Sequence, residues 1–205
     1  CDMRILAIWL AVLLAAAPAL GDEIRYFAVP PGEHPHDVAP SADGGVWYTG
    51  QRTGVLGHLD PATGKVDRTA LGKGSSPHGV IVGPDGAPWL TEGGQNAIAR
   101  VDPATRKVQL FPLPPDFAGA NLNTAAFDRF GKLWFTGQAG VHGRVDPASG
   151  KVDAWKSPRR GSYGITATPA GEVWFAMLAG DSIGRIDRAS GAVEVIEPPR
   201  KGSGP

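Results

Sequence analysis

The sequence predicts an all-β fold, a β-propeller built from four-stranded antiparallel blades. Tryptophans recur at Trp47, Trp89, Trp134 and Trp174, spaced 42, 45 and 40 residues apart. Aspartates recur at Asp60, Asp102, Asp146 and Asp187, spaced 42, 44 and 41. Within each period lie four short apolar runs, each closed by a turn signal, as from His78 to Pro112. A period of this length with four strand-like runs is the signature of a propeller blade, which buries its apolar faces only by stacking on its neighbours. The blades are expected over residues 33–71, 75–113, 120–157 and 160–198.

Ahead of them the chain opens on a targeting pattern over residues 1–21. Met3-Arg4 supplies a positive start, Ile5 to Leu14 an apolar stretch too short to span a bilayer comfortably, and Ala19-Leu20-Gly21 a small-residue cleavage zone. Cys1 and Asp2 precede the expected initiator Met3. The protein is therefore expected to be periplasmic or secreted, off the membrane once the signal is cleaved. Cys1 is the sole cysteine, so the mature chain has no disulfide. Twenty basic residues balance twenty acidic ones, with no basic block to attract nucleic acid or an anionic membrane.

Glu23 to Pro30 reads as a lone strand that matches the fourth run of each repeat, with Phe27 aligned to Thr69, Phe111, Trp155 and Ile196. It is expected to complete a last blade and latch the ring. The first runs begin at His36, His78, Asn123 and Tyr163, each 11 residues before its tryptophan. The second runs, VWYT, PWLT, LWFT and VWFA, follow a glycine suited to a hairpin (Gly44, Gly86, Gly131, Gly171). The third runs lead into DPATG, DPATR, DPASG and DRASG, where aspartate accepts backbone N–H bonds and the final glycine tolerates a left-handed backbone. Arg106 breaks that pattern at an expected cost of about 1 kcal/mol. Gly202-Ser203-Gly204-Pro205 resembles Gly74-Ser75-Ser76-Pro77, which precedes His78, so the chain reads as a fragment of a longer propeller.

First strands line a propeller's channel, which places His36, His78, Asn123 and Tyr163 in one ring at its mouth. Glu92, three residues after Trp89, is the carboxylate this pattern could bring to the face of His78 as an acid–base pair. These five are the candidate ligand-facing residues, for a small molecule at the channel mouth. Glu33-His34-Pro35-His36-Asp37 has metal-binding residue types, but Pro35 disfavours a regular strand that would align the two histidines. His58 and His142 are expected to face outward, Arg100, Arg144 and Arg185 to pair between blades, and the tryptophans to form blade-to-blade core.

The repeat formed by Pro77-His78-Gly79, Asp85-Gly86, Trp89-Leu90-Thr91-Glu92 and Ile98-Ala99-Arg100-Val101-Asp102-Pro103 resembles that of the virginiamycin B lyase (streptogramin lyase) family, over essentially all of residues 23–205. The resemblance implies seven blades, a monomer when complete, and Mg2+-dependent elimination that opens the ring ester of type B streptogramin antibiotics. It places the catalytic histidine and the metal-binding glutamates in later blades. A glutamate two before the ring histidine has no counterpart here, where His34, Ser76, Asn121 and Gly161 stand. No catalytic residue is therefore expected in this chain, nor any bound metal. A non-enzymatic binding or scaffold propeller with NHL-like repeats is the alternative, and a Ca2+-dependent gluconolactonase type has only Asn123 in its favour.

Overall fold

The computed structural model describes residues 24–205; the targeting segment lies outside the described residues. Among the described residues sixteen strands form four antiparallel sheets, each of four strands in sequence order. The first holds β1 (Pro35–Pro40), β2 (Val46–Gly50), β3 (Val55–Leu59) and β4 (Val66–Ala70). The second holds β5 (Pro77–Val82), β6 (Pro88–Glu92), β7 (Ala97–Val101) and β8 (Val108–Pro112). The third holds β9 (Leu122–Phe127), β10 (Leu133–Gly137), β11 (Val141–Val145) and β12 (Val152–Lys156). The fourth holds β13 (Ser162–Ala167), β14 (Val173–Met177), β15 (Ser182–Ile186) and β16 (Val193–Ile196). The first strands β1, β5, β9 and β13 stand next to one another, which makes them the inner strands of a propeller array.

Apolar side chains fill the gaps between sheets. Trp47 and Leu56 of the first sheet pack on Val80 and Leu90 of the second. Trp89, Ile98 and Phe111 of the second pack on Leu133 and Phe135 of the third, and Trp134 of the third on Val173 and Phe175 of the fourth. Each such side chain, fully buried, contributes about 1.5–3 kcal/mol, so the sheet-to-sheet contacts are the core. Trp47, Trp89 and Trp134 thus have the blade-to-blade role expected of them, whereas Trp174 is only half-buried.

The β3–β4 type turns form as their residues dictate. Asp60 accepts from the amide of Ala62 at 2.8 Å, and the amide of Gly64 donates to the carbonyl of Asp60 at 2.7 Å. The fifth residue is left-handed in every copy, with φ of +73° at Gly64, +62° at Arg106, +74° at Gly150 and +77° at Gly191. Arg106 holds that conformation with its guanidinium 4.9 Å over the ring of Trp47 in the preceding sheet. A cation–π contact of about 0.5–1 kcal/mol offsets most of the backbone cost.

Two expectations are corrected, one for the histidines and one for the arginines. Residues 24–30 pair with no strand among the described residues, although a Cβ at Gly64 would stand 3.8 Å from Phe27, just as one at Gly150 would stand 3.8 Å from Phe111. Phe27 therefore occupies the place that an outer-strand aromatic takes elsewhere, without ladder pairing. His58 and His142 are buried, not outward. His142 stacks on Trp155 and Phe175, and its ring nitrogens meet Ser157 Oγ at 3.0 Å and the Gly191 carbonyl at 2.8 Å. The arginines pair mainly within their own blades: Arg100 with Asp85, Arg144 with Asp153, Arg185 with Glu194. Only Arg144 reaches the next blade, at the Arg188 carbonyl.

Candidate functional site

All four inner strands carry a β-bulge at the same place. Pairing runs Pro35↔Gly50 then Val38↔Tyr48, so three steps on β1 oppose two on β2. The same slip occurs between Pro77 and Val80, Leu122 and Ala125, and Ser162 and Ile165. The residues inside the bulges include His36-Asp37, His78-Gly79, Asn123-Thr124 and Tyr163-Gly164. A bulge leaves a backbone group unpaired and re-aims side chains, so neighbours in sequence can face one way.

In the first two blades the threonine two after the tryptophan takes up what the bulge leaves unpaired. Thr49 Oγ1 accepts from the Asp37 amide at 3.0 Å and donates to the His78 carbonyl at 2.8 Å. Thr91 Oγ1 accepts from the Gly79 amide at 2.8 Å and donates to the Asn123 carbonyl at 2.5 Å. Thr136 donates to the Tyr163 carbonyl. Thr49 and Thr91 therefore tie their own inner strands to the next blade's ring residue, and Thr136 meets its own strand through the Thr124 hydroxyl at 3.3 Å. Ala176 stands at that position in the fourth sheet.

On this frame the ring positions of the first three blades converge. The imidazoles of His36 and His78 lie 3.9 Å apart between centroids, tilted by 47°. His36 Nδ1 meets Asp37 Oδ1 at 2.9 Å, and His78 Nε2 meets Asn123 Nδ2 at 3.0 Å. Burial, and then the neighbouring His36, hold the pKa of His78 below the ordinary histidine value. His78 is thus kept neutral, able to accept or relay a proton or to coordinate. Tyr163 stands exposed at the fourth ring position, joined to the third blade through its backbone carbonyl, which also accepts from Thr124 at 2.7 Å.

Glu92 does not join them. It is fully buried, and its carboxylate accepts from Ser75 Oγ at 2.5 Å, the Ser76 amide at 2.6 Å and the Gly94 amide at 3.2 Å. It fastens the loop that feeds β5 instead of facing the channel, so the expected pairing with His78 is not made. Asp181 holds the resembling loop at 202–204 in the same way, accepting from the amides of Gly202 at 2.5 Å and Gly204 at 2.9 Å.

The run Glu33-His34-Pro35-His36-Asp37 divides three ways. Glu33 is buried against the Tyr48 hydroxyl and the Arg68 guanidinium. Burial and that carboxylate push the Tyr48 hydroxyl well above its ordinary pKa. His34 is exposed with a left-handed φ of +50°, and His36 and Asp37 turn to the ring. Asp37, in the sequence only a member of this metal-like run, is the residue that the structure adds to the ring. Its counterparts are Gly79, Thr124 and Gly164, so it is the lone carboxylate of that series.

Mg2+, which the resemblance implies, does not fit the residues present. It wants oxygen ligands, usually carboxylates. The carboxylate of Glu92 is spent on three donors, and His34, Ser76, Asn121 and Gly161 supply no partner.

The Virginiamycin B lyase family pattern matches residues 14–205. No curated protein sequence matches the chain. Among solved structures it is similar to virginiamycin B lyase from Staphylococcus aureus in selenomethionine form, at 28% identity and a TM-score of 0.77, over 86% of this chain and 59% of that one. A catalytically inactive variant of the Staphylococcus aureus lyase with quinupristin gives 28% and 0.78, over 88% and 61%. A streptogramin B lyase structure gives 27% and 0.78, over 87% and 60%. The chain thus spans about three fifths of the length of the lyase structures it matches. The repeat, the fold and the family pattern agree: the chain belongs to the virginiamycin B lyase family.

Proposed function

We propose that these four blades belong to an exported lyase-type propeller whose substrate is a type B streptogramin or a similar cyclic depsipeptide. Residues His36, His78, Asn123 and Tyr163 would contact the substrate at the channel mouth. The observation that carries this reading is the joining of three ring positions into one polar cluster, His36 against His78 and His78 against Asn123, in a chain of this family. The family reaction is an elimination. A base removes a proton from carbon, the electron pair forms an alkene, and the ester C–O bond breaks to release a carboxylate. The ring opens with no water added.

In this reading the residues at hand bind and orient the substrate. The base and the metal-holding glutamates are assigned to chain outside residues 1–205, because Glu92 is committed to its loop. That same commitment favours a second reading, a binding propeller without chemistry.

The test is to incubate the protein, in its natural full-length form, with a type B streptogramin and Mg2+ and to follow products by chromatography and mass spectrometry. Elimination gives a linear isomer of unchanged mass, and hydrolysis adds one water. No linear product, with binding retained, supports the binding propeller.

A further inference from the structure

We propose that His36, Asp37 and His78 form a binding site for a first-row divalent transition metal, Zn2+ being the reference ion, at the inner edge between the first two blades. His36, Asp37 and His78 each offer one donor atom, and these atoms lie within 4.8 Å of one another. Ligands about 2.0–2.2 Å from a zinc ion stand ~3–4 Å apart, so a small side-chain adjustment closes the set.

Three features build the site. The β1 bulge turns the consecutive residues His36 and Asp37 to the same side, where a regular strand would oppose them. Gly79 lets Asp37 approach the second blade, since a Cβ there would lie 3.3 Å from Asp37 Oδ2 and 2.8 Å from the Asn123 carbonyl. Nδ1 of His78 is shielded from solvent and has no hydrogen-bond partner among the described residues. The Asn123 amide lies with Nδ2 at 3.0 Å from Nε2; turned over, it presents Oδ1 to the Nε2–H of a ring that ligates through Nδ1, the outer-shell role that ligating histidines usually have filled.

Two imidazoles and one carboxylate suit Zn2+, Co2+ or Ni2+ and not Mg2+, which prefers oxygen. Three protein ligands leave a position open to water or to a ligand's oxygen. This site is separate from the family's Mg2+, and it stands whether or not the protein opens streptogramins.

The test uses chelator-treated protein titrated with Co2+, read by visible absorption, with Zn2+ and Mg2+ as competitors. One Co2+ per chain is expected, with ligand-field bands, displaced by Zn2+ but not by equal Mg2+. Asp37→Asn and His78→Gln should each weaken binding by ~tenfold or more. His34→Asn, which keeps a residue tolerant of the left-handed backbone, should leave it unchanged. Thermal melts of each variant establish that it is folded, and Asp37→Asn decides the matter if His78→Gln is not. Absence of stoichiometric binding, equal displacement by Mg2+, or binding lost in His34→Asn but kept in Asp37→Asn would each overturn the proposal.

Discussion

Thr91 Oγ1 lies 2.5 Å from the carbonyl oxygen of Asn123, in the next sheet, and 2.8 Å from the amide of Gly79 in its own. One hydroxyl thereby completes a bulged inner strand and couples two blades at the ring position itself. The threonine of Trp-x-Thr is thus a joint, and the side chains at the channel inherit their positions from it. Thr91→Val keeps the shape and removes both bonds, leaving a buried N–H and C=O unpaired. Urea unfolding should show a loss of about 2 kcal/mol. A change below ~0.5 kcal/mol would mean that the joint carries no weight.

Glu92→Gln can keep one oxygen for the Ser76 and Gly94 amides and turn its N–H₂ to Ser75 Oγ, which then accepts, so what it removes is the charge that strengthens these bonds. The expected loss is about 1–3 kcal/mol in urea unfolding. Ligand binding at the channel should hardly change. A large loss of binding at unchanged stability would return Glu92 to the site.

Much of the fold is legible in the sequence because propeller turns are local chemistry. The aspartate and the left-handed fifth residue of DPATG, and the tryptophan period, each act within a few residues. The site is less legible, because a bulge is a property of pairing between strands. Asp37 shows no outward sign that it faces the same way as His36, and the aim of Glu92 is set by Ser75 and Ser76, sixteen or more residues away. His142 could have been placed. It aligns with Leu56 and Ile98, four before the turn aspartate, and both are fully buried.

Arg106 tests the balance between strain and stacking. Arg106→Gly relieves the left-handed backbone but removes the cation from Trp47, so the two effects of about 1 kcal/mol should nearly cancel. Arg106→Ala keeps the strain and loses the stacking, and should unfold at lower urea by about 1 kcal/mol. Equal stability of the alanine variant and the parent would contradict this division.

Burial holds the pKa of His142 below its ordinary value, with a smaller opposing effect from its bond to the Gly191 carbonyl, and His78 is lowered as well. A histidine lowered in the folded state is neutral there, so as pH falls through about 6.5 the unfolded chain takes up protons first. Stability is therefore full above that pH and declines below it until the folded pKa values are reached. Urea midpoints should fall between pH 7.5 and 5.5, and His142→Gln should flatten part of that slope. A slope unchanged by the substitution would remove His142 as a cause.

The proposed ligand-facing ring is tested most directly by histidine ring NMR during titration with a type B streptogramin. The signals of His36 and His78 should shift together and saturate, while those of the buried His58 and His142 stay in place. No saturable shift, or shifts confined to His58 and His142, would contradict the assignment of the channel mouth as the binding site.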